Sequence, residues 1–282
     1  MKLTRTDVDI FVPDGRPAVE ALARTTHLAV GAHQDDLEFM ALHGILECID
    51  RPDRGFTGIT VTNGSGSPRS GPYADHTDRE MQGVRIEEQR AAARLGRYGC
   101  QIQLMHPSSE VKDPGNTDPI EDLRKILELA RPDIVYLHNP ADKHDTHVAC
   151  CLRSIAALRR LPAEARPSAV YGCEVWRDLD WLADADKRVL PLDDPDNLGL
   201  ALAAVFASQI AGGKRYDLAV HGRRSANATF FESHAVDRHQ LVSFAMDLTP
   251  LIVDPSRDVA AFTCALVDRL QDDIGDRIAR MC

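Results

Sequence analysis

The sequence predicts an α/β fold, a mostly parallel sheet flanked by helices, and three observations carry that expectation. Strand-like stretches at 28–32, 58–62, 101–105 and 133–137 alternate with helix-like ones through the first two-thirds of the chain. Two of these runs end in polar clusters of ligand-type residues, His33-Gln34-Asp35-Asp36 and Asp142 to His147, and each cluster leads into helix-like sequence. A buried strand that ends this way is where open α/β sheets place their sites. At 282 residues without a visible repeat, the chain can bury one large core.

Taken in order, 28–32 reads as a strand and 36–50 as one helix, with Phe39, Leu42, His43, Leu46 and Ile49 at helical spacing. After the strand 58–62, a Gly/Ser/Pro-rich segment from Asn63 to about Asp75 can bury little and reads as a mobile loop over the carboxyl edge of the sheet. A long helix follows at once, from about Thr77 to Leu95, and Gly96 is a usual terminator. The strand 101–105 comes next, then a helix 119–130 opened by Asp118-Pro119, then the strand 133–137. The helix from about His144 to Arg160 is stopped by Pro162. Beyond it the pattern loosens into a strand at 168–176, a Trp- and Asp-rich turn to Asp196, a helix near 198–212 and a polar stretch from Gly222 to Arg238. A last helix, about 257–280, carries Val259, Phe262, Leu266, Leu270 and Ile274 along one face and is expected to pack on the core.

Composition narrows the function. With 33 basic residues dispersed among 43 acidic ones and a net charge of −10, a nucleic-acid partner is not expected, because phosphate affinity rests on clustered Lys and Arg. No window approaches 18 uninterrupted apolar residues and the N-terminus lacks the apolar segment of a signal peptide, so neither membrane spanning nor secretion is indicated and cytoplasm is the default. The seven cysteines lack CxxC spacing and read as buried, reduced thiols.

Hydrolytic zinc usually takes three protein ligands from His and carboxylates and leaves one position open. His33 and Asp36, three apart at a strand-to-helix turn, can point to the same side while Asp35 points elsewhere; His144 or His147 can supply the third ligand. Such a site lowers the pKa of bound water to about 7. Asp35 is then placed as general base, and the remaining histidine as donor to the oxyanion of a tetrahedral intermediate. Taken singly, the same residues have plainer readings: an Asp-Asp pair after a strand caps a helix, and His144 is an exposed first-turn residue.

The combination AHQDDLE after the first strand, TNGSGS after the second, RxxE and AAxxLG in the following helix, and DKHDTH after a later strand resembles the LmbE-like, or PIG-L, deacetylase family. The resemblance covers about residues 27–160, with a thinner match at Tyr171 and from Arg223 to His234. It implies a zinc-dependent N-deacetylase acting on N-acetylglucosamine-type substrates, with His33, Asp36 and His147 as metal ligands, Asp35 as base, His144 as oxyanion partner and Arg85 on the sugar. Two departures stand out. Gln34 replaces the family's common proline, and Thr146 occupies the place of an Asp that orients the oxyanion histidine, so the His144 imidazolium is expected to be less stabilised, and the chemistry slower, unless Asp142 substitutes. Arg85 also has a simpler expectation, a pair with Glu88 or Glu80 on its own helix. His106, after the third strand, is a further candidate for the pocket wall.

The expected architecture is a single domain, 1–282, of Rossmann-like three-layer layout with a mostly parallel sheet and the metal site at the carboxyl edge of the strands; 27–160 forms its core and 161–282 completes sheet, pocket and C-terminal helix. The expected activity is release of acetate from a small amino-sugar substrate. Alternatives are hydrolysis of another amide or ester, or ligand binding without catalysis. Zn2+ is the expected cofactor, Fe2+ or another divalent ion being compatible with a His2Asp donor set. A homo-oligomer is compatible with the sequence.

Overall fold

The computed structural model describes residues 1–193 and 197–282, so the end of the turn expected to run to Asp196 lies outside the described residues. Eight strands form one sheet: β1 (Asp9–Phe11), β2 (His27–Gly31), β3 (Phe56–Thr62), β4 (Cys100–His106), β5 (Ile134–His138), β6 (Ala169–Cys173), β7 (Lys187–Pro191) and β8 (Val242–Asp247), in the order β1-β4-β3-β2-β5-β6-β8-β7. From β4 to β6 the strands are parallel; β1, at one edge, and β8 and β7, at the other, run antiparallel to their neighbours. The order of the parallel strands reverses between β2 and β5, and the two polar clusters of the sequence follow those two strands.

The central strands β2, β3 and β4 are buried at every position because helices cover both faces of the sheet, although β3 and β4 carry threonines and glutamines among their apolar residues. Leu28 and Val30 face one core cluster, shared with Leu123, Ile126, Cys150 and Ile155 of the helices Asp118–Ala130 and Asp145–Arg159. Ala29, between them, faces the other, shared with Leu37, Ile45, Ala92 and Phe206. That alternation is the two-residue period of a strand.

Several expected elements are divided or moved. The single helix expected at 36–50 is two, Asp36–Met40 and Leu42–Cys48, broken at Ala41. Near the break the Arg224 guanidinium donates to two carbonyls, those of Glu38 and Phe39, each at 2.9 Å. The helix near 198–212 is likewise Leu198–Val205 and Ala207–Ala211, the second opening on a buried carboxylate, since Ser208 N donates to Glu88 Oε1 at 2.7 Å. The polar stretch expected from Gly222 to Arg238 is helical only as far as Phe230, as the end of a helix Tyr216–Phe230. The long helix Asp78–Leu95 starts at a Thr77–Glu80 capping box, and at its far end Arg97, rather than Gly96, takes the left-handed conformation with φ 52°.

The last helix, Val259–Ala279, departs most from expectation. Only its first half packs, through Val259, Phe262 and the buried Leu266, whereas Ile274 and Ile278 stand exposed. Five of the cysteines are buried free thiols, and Cys264 and Cys282 are exposed.

Candidate active site

β2 ends at Gly31, and the chain turns through His33-Gln34-Asp35 into the helix that Asp36 begins. The turn is tight: Asp35 sits at φ 104°, and the Asp36 carboxylate folds back to accept the His33 backbone N–H at 2.6 Å. One strand over, β5 ends in His138, and a short loop leads to His144, which caps the helix carrying His147. The sequence-predicted residues therefore meet. His33 Nδ1 lies 3.1 Å from His147 Nε2 and 3.3 Å from Asp36 Oδ2, and His147 Nε2 lies 3.4 Å from Asp36 Oδ1. Four-coordinate zinc with bonds of 2.0–2.1 Å separates its ligand atoms by about 3.3 Å. Each separation matches that spacing pair by pair, the two contacts to Asp36 being made to different oxygens of its carboxylate.

The donor chemistry fits a cation as well. Asp142 Oδ2 stands 3.4 Å from His147 Nδ1, an arrangement in which Nδ1–H donates outward and Nε2 turns its lone pair toward His33 and Asp36. Burial opposes charge on Asp36, yet His147 and His138 outweigh it and hold this carboxyl well below the usual range. For His147, burial lowers the pKa, but Asp36 and Asp142 raise it above the ordinary imidazole value. Two carboxylates thus draw positive charge to one point.

Asp35 does not join that group. It is buried, and desolvation raises its pKa above the usual carboxylate range; Arg85 pulls the other way, while Asp36 adds to the rise. That leaves a carboxyl suited to exchanging protons near neutrality. Arg85, 1% exposed, is engaged through both terminal nitrogens, while its Nε is buried without a hydrogen-bond partner. Its guanidinium donates to Asp35 Oδ2 at 3.2 Å, Glu88 Oε2 at 2.8 Å, Ser208 Oγ at 3.3 Å and the Gln34 carbonyl. Gly64 makes this approach feasible: it has φ +73°, and a Cβ there would lie 3.0 Å from Arg85 Cβ and 2.8 Å from Gln34 Oε1. Gln34, fully buried, braces the turn by donating to the Thr62 carbonyl and to Gln103 Oε1.

His144 is half-buried at the edge of the cluster, its ring centroid 5.0 Å from that of His33 and 4.6 Å from that of His147. Its Nδ1 accepts the Thr146 backbone N–H at 3.2 Å. With Nδ1 an acceptor, the proton of the neutral ring resides on Nε2. Burial and the neighbouring His147 and His33 lower its pKa, which favours that neutral form. Thr146 therefore serves His144 through its main chain, and Asp142 is committed elsewhere, to the His144 backbone N–H and to His147.

His138 was not foreseen. Fully buried at the end of β5, it places Nε2 3.2 Å from Asp36 Oδ2 and also accepts the Ala32 N–H at 2.9 Å, and burial pushes its pKa down to about 4. Asp36, His138 and His147 form a second close group beside His33, His144 and His147. The signal was present as Leu137-His138-Asn139, a polar pair directly after an apolar run, but reading the strand as ending at 137 detached it from the cluster. His106, a candidate for the pocket wall, is instead fully buried in a structural network with Asp122 and Glu110. A cavity of about 500 Å³ lies at the opposite, amino edge of the sheet around residues 13–25, 48–57 and 94–99, and none of its lining residues belongs to this cluster. The convergence of ionisable groups, rather than cavity size, marks the reactive place.

Residues 28–158 match the family model described as PIG-L, GlcNAc-PI de-N-acetylase. No curated protein sequence matches the chain. Among solved structures, the chain is similar to GalB, the 4-carboxy-2-hydroxymuconate hydratase from Pseudomonas putida, at 16% identity and TM-score 0.60, covering 79% of this chain and 95% of that one. It is also similar to N,N'-diacetylchitobiose deacetylase from Pyrococcus horikoshii, at 17% identity and TM-score 0.60 over 78% and 83% of the two chains. The A40926 pseudoaglycone deacetylase Dbv21 is a third, at 15% identity and TM-score 0.58 over 79% and 97%. These likenesses establish a shared fold, one that carries a hydratase as well as deacetylases.

Proposed function

We propose, on the premise that residues 28–158 form a PIG-L (LmbE-like) family domain, that the protein is a zinc-dependent hydrolase that removes the N-acetyl group from an amino-sugar substrate and releases acetate. The observation that carries this reading is the convergence of His33, Asp36 and His147, whose donor atoms approach one another pairwise to 3.1–3.4 Å, His33 facing one Asp36 oxygen and His147 the other, with the proton-exchanging Asp35 next to Asp36 in sequence. Because the fold also serves a hydratase, the choice rests on the site and the family domain, not on the overall likeness.

In this reading His33, Asp36 and His147 hold the metal. A divalent cation there would polarise an amide carbonyl and make a water acidic near neutral pH. Asp35 takes a proton from the attacking water and returns it to the nitrogen of the leaving amine, so the C–N bond breaks with acetate and a free amine as products. Arg85 keeps Asp35 oriented and limits how far burial raises its pKa. His144 donates its Nε2–H to the oxygen that gains charge at the tetrahedral stage, a role for which a neutral ring suffices. Asp142 fixes the tautomer of His147, and the buried His138 closes the inner side of Asp36. A sugar contact by Arg85 would require its pair with Glu88 to open, so its service in this conformation runs through Asp35.

Acetate release from N-acetylglucosamine derivatives, set beside a panel of other acyl amides and esters, tests the reaction. Elemental analysis should find one zinc per chain, retained by Asp35→Asn with activity abolished and lost from Asp36→Ala and His147→Ala. Full metal content in the latter two would refute the ligand assignment.

A further inference from the structure

At the mouth of the candidate site stand three side chains that the hydrolytic roles leave unused. Trp176, in the loop after β6, is 39% exposed, and its ring centroid lies 6.2 Å from that of His144. Its backbone N–H donates to Asp142 Oδ2 at 3.3 Å, the same oxygen that faces His147, so the position of the indole is tied to the cluster. Tyr216 meets the indole edge-on at 5.9 Å and packs on Phe39 at the same separation. Its hydroxyl pKa is pushed up to about 12, by burial first and then by the charges of Asp35 and Asp36, so the phenol shares the field of the site. Lys214, exposed, holds its ammonium 5.4 Å from the centroid of the Trp176 ring, and among the described residues no carboxylate lies within 4.0 Å of it.

From this arrangement we infer that Trp176, Tyr216 and Lys214 form a substrate subsite in which a pyranose ring stacks on the indole and a negatively charged substituent of the substrate meets the Lys214 ammonium. The inference rests on the amino-sugar deacetylase reading and deepens it by naming an anionic amino sugar as the substrate class. An exposed indole presents a flat apolar face with a quadrupole that attracts the polarised C–H groups of a sugar as it attracts a cation. Lys214 lies over that face through a weak contact that a sugar can displace. The ammonium, without a carboxylate partner among the described residues, then gains a full charge-assisted bond instead of exchanging one for another. With a catalytic imidazole 6.2 Å from the indole, a ring stacked there places its acetamido substituent within reach of the His33–His147 cluster.

The chain has two tryptophans, so Trp181→Phe leaves Trp176 as the sole emitter. In the zinc-loaded protein carrying Trp181→Phe and Asp35→Asn, which cannot turn over, N-acetylglucosamine and N-acetylglucosamine 6-phosphate are titrated while tryptophan emission and calorimetric heat are followed. Both sugars should shift the emission, the phosphorylated one at about tenfold lower concentration, and Lys214→Met should erase that difference. In the otherwise unaltered enzyme, Trp176→Ala should raise KM about tenfold with kcat within a factor of two. Equal affinity for the two sugars overturns the anion contact. Acetate release with the Trp176 emission unmoved overturns the subsite and leaves the deacetylase reading standing. Neither binding nor acetate release with these sugars overturns both.

Discussion

Replacing Arg85 by methionine separates two roles that the same residue could play. Arg85 is 1% exposed and pairs with two carboxylates, Asp35 at 3.2 Å and Glu88 at 2.8 Å, both themselves buried. Removing one partner of a buried pair costs about 3–5 kcal/mol, because the remaining charge has no compensation and no water. Against a typical total of about 5–15 kcal/mol, a loss of that size is plainly measurable by urea unfolding. The second consequence is chemical. Arg85 opposes the burial that raises the Asp35 pKa, so its removal raises that pKa further. A general base works deprotonated, and the acid limb of the kcat/KM profile should therefore move to higher pH by about one unit or more. Adding Glu88→Gln should restore part of the stability, since one stranded charge disappears, while leaving the acid limb displaced. A variant with native stability, an unmoved profile and a raised KM would refute this reasoning and return Arg85 to direct contact with the substrate.

Three further outcomes are expected. His144→Ala should lower kcat about 10²–10³-fold, the usual cost of one oxyanion donor, with metal content unchanged by elemental analysis. Burial lowers the His27 pKa to about 4, so between the unfolded value near 6.5 and that pH the unfolded chain binds the extra proton. Stability should thus be level above about pH 6.5 and fall as pH drops toward 4, a slope that His27→Gln should flatten in denaturation measured across that window. Asp122 accepts Thr4 N–H at 2.8 Å and faces His106 Nε2 at 3.2 Å; burial raises its pKa, but these bonds outweigh it and leave the value below the ordinary one. Its contribution is present above about pH 3.8 and lost as pH falls through the lower folded value, and Asp122→Asn should cost about 1–3 kcal/mol at pH 7 by urea unfolding.

The sequence by itself determined the parallel part of the sheet and the candidate site, because both are local in the chain. A strand buried on both faces writes itself as a short apolar run, as at Leu28–Val30, and a site at a strand end writes itself as polar residues immediately after that run, as at His33–Asp36. Pairing such ends across a hundred residues was the one non-local step, and the resemblance of the two motifs supplied it.

What only the tertiary structure decided depends on partners distant in sequence. The helix from Asp36 breaks at Ala41 near carbonyls that Arg224 satisfies, and Ala207–Ala211 opens on Glu88, contacts that no local propensity encodes. The periodic apolar face of the last helix promises burial as far as Ile274, but burial needs a surface opposite, and the body of the protein supplies one only as far as Leu266. The histidine roles divide on the same ground: Asp142 facing His147 Nδ1, and the Thr146 amide donating to His144 Nδ1, set the tautomers. Spacing can bring two imidazoles to one loop, but which nitrogen keeps its proton follows from the group that faces the other nitrogen.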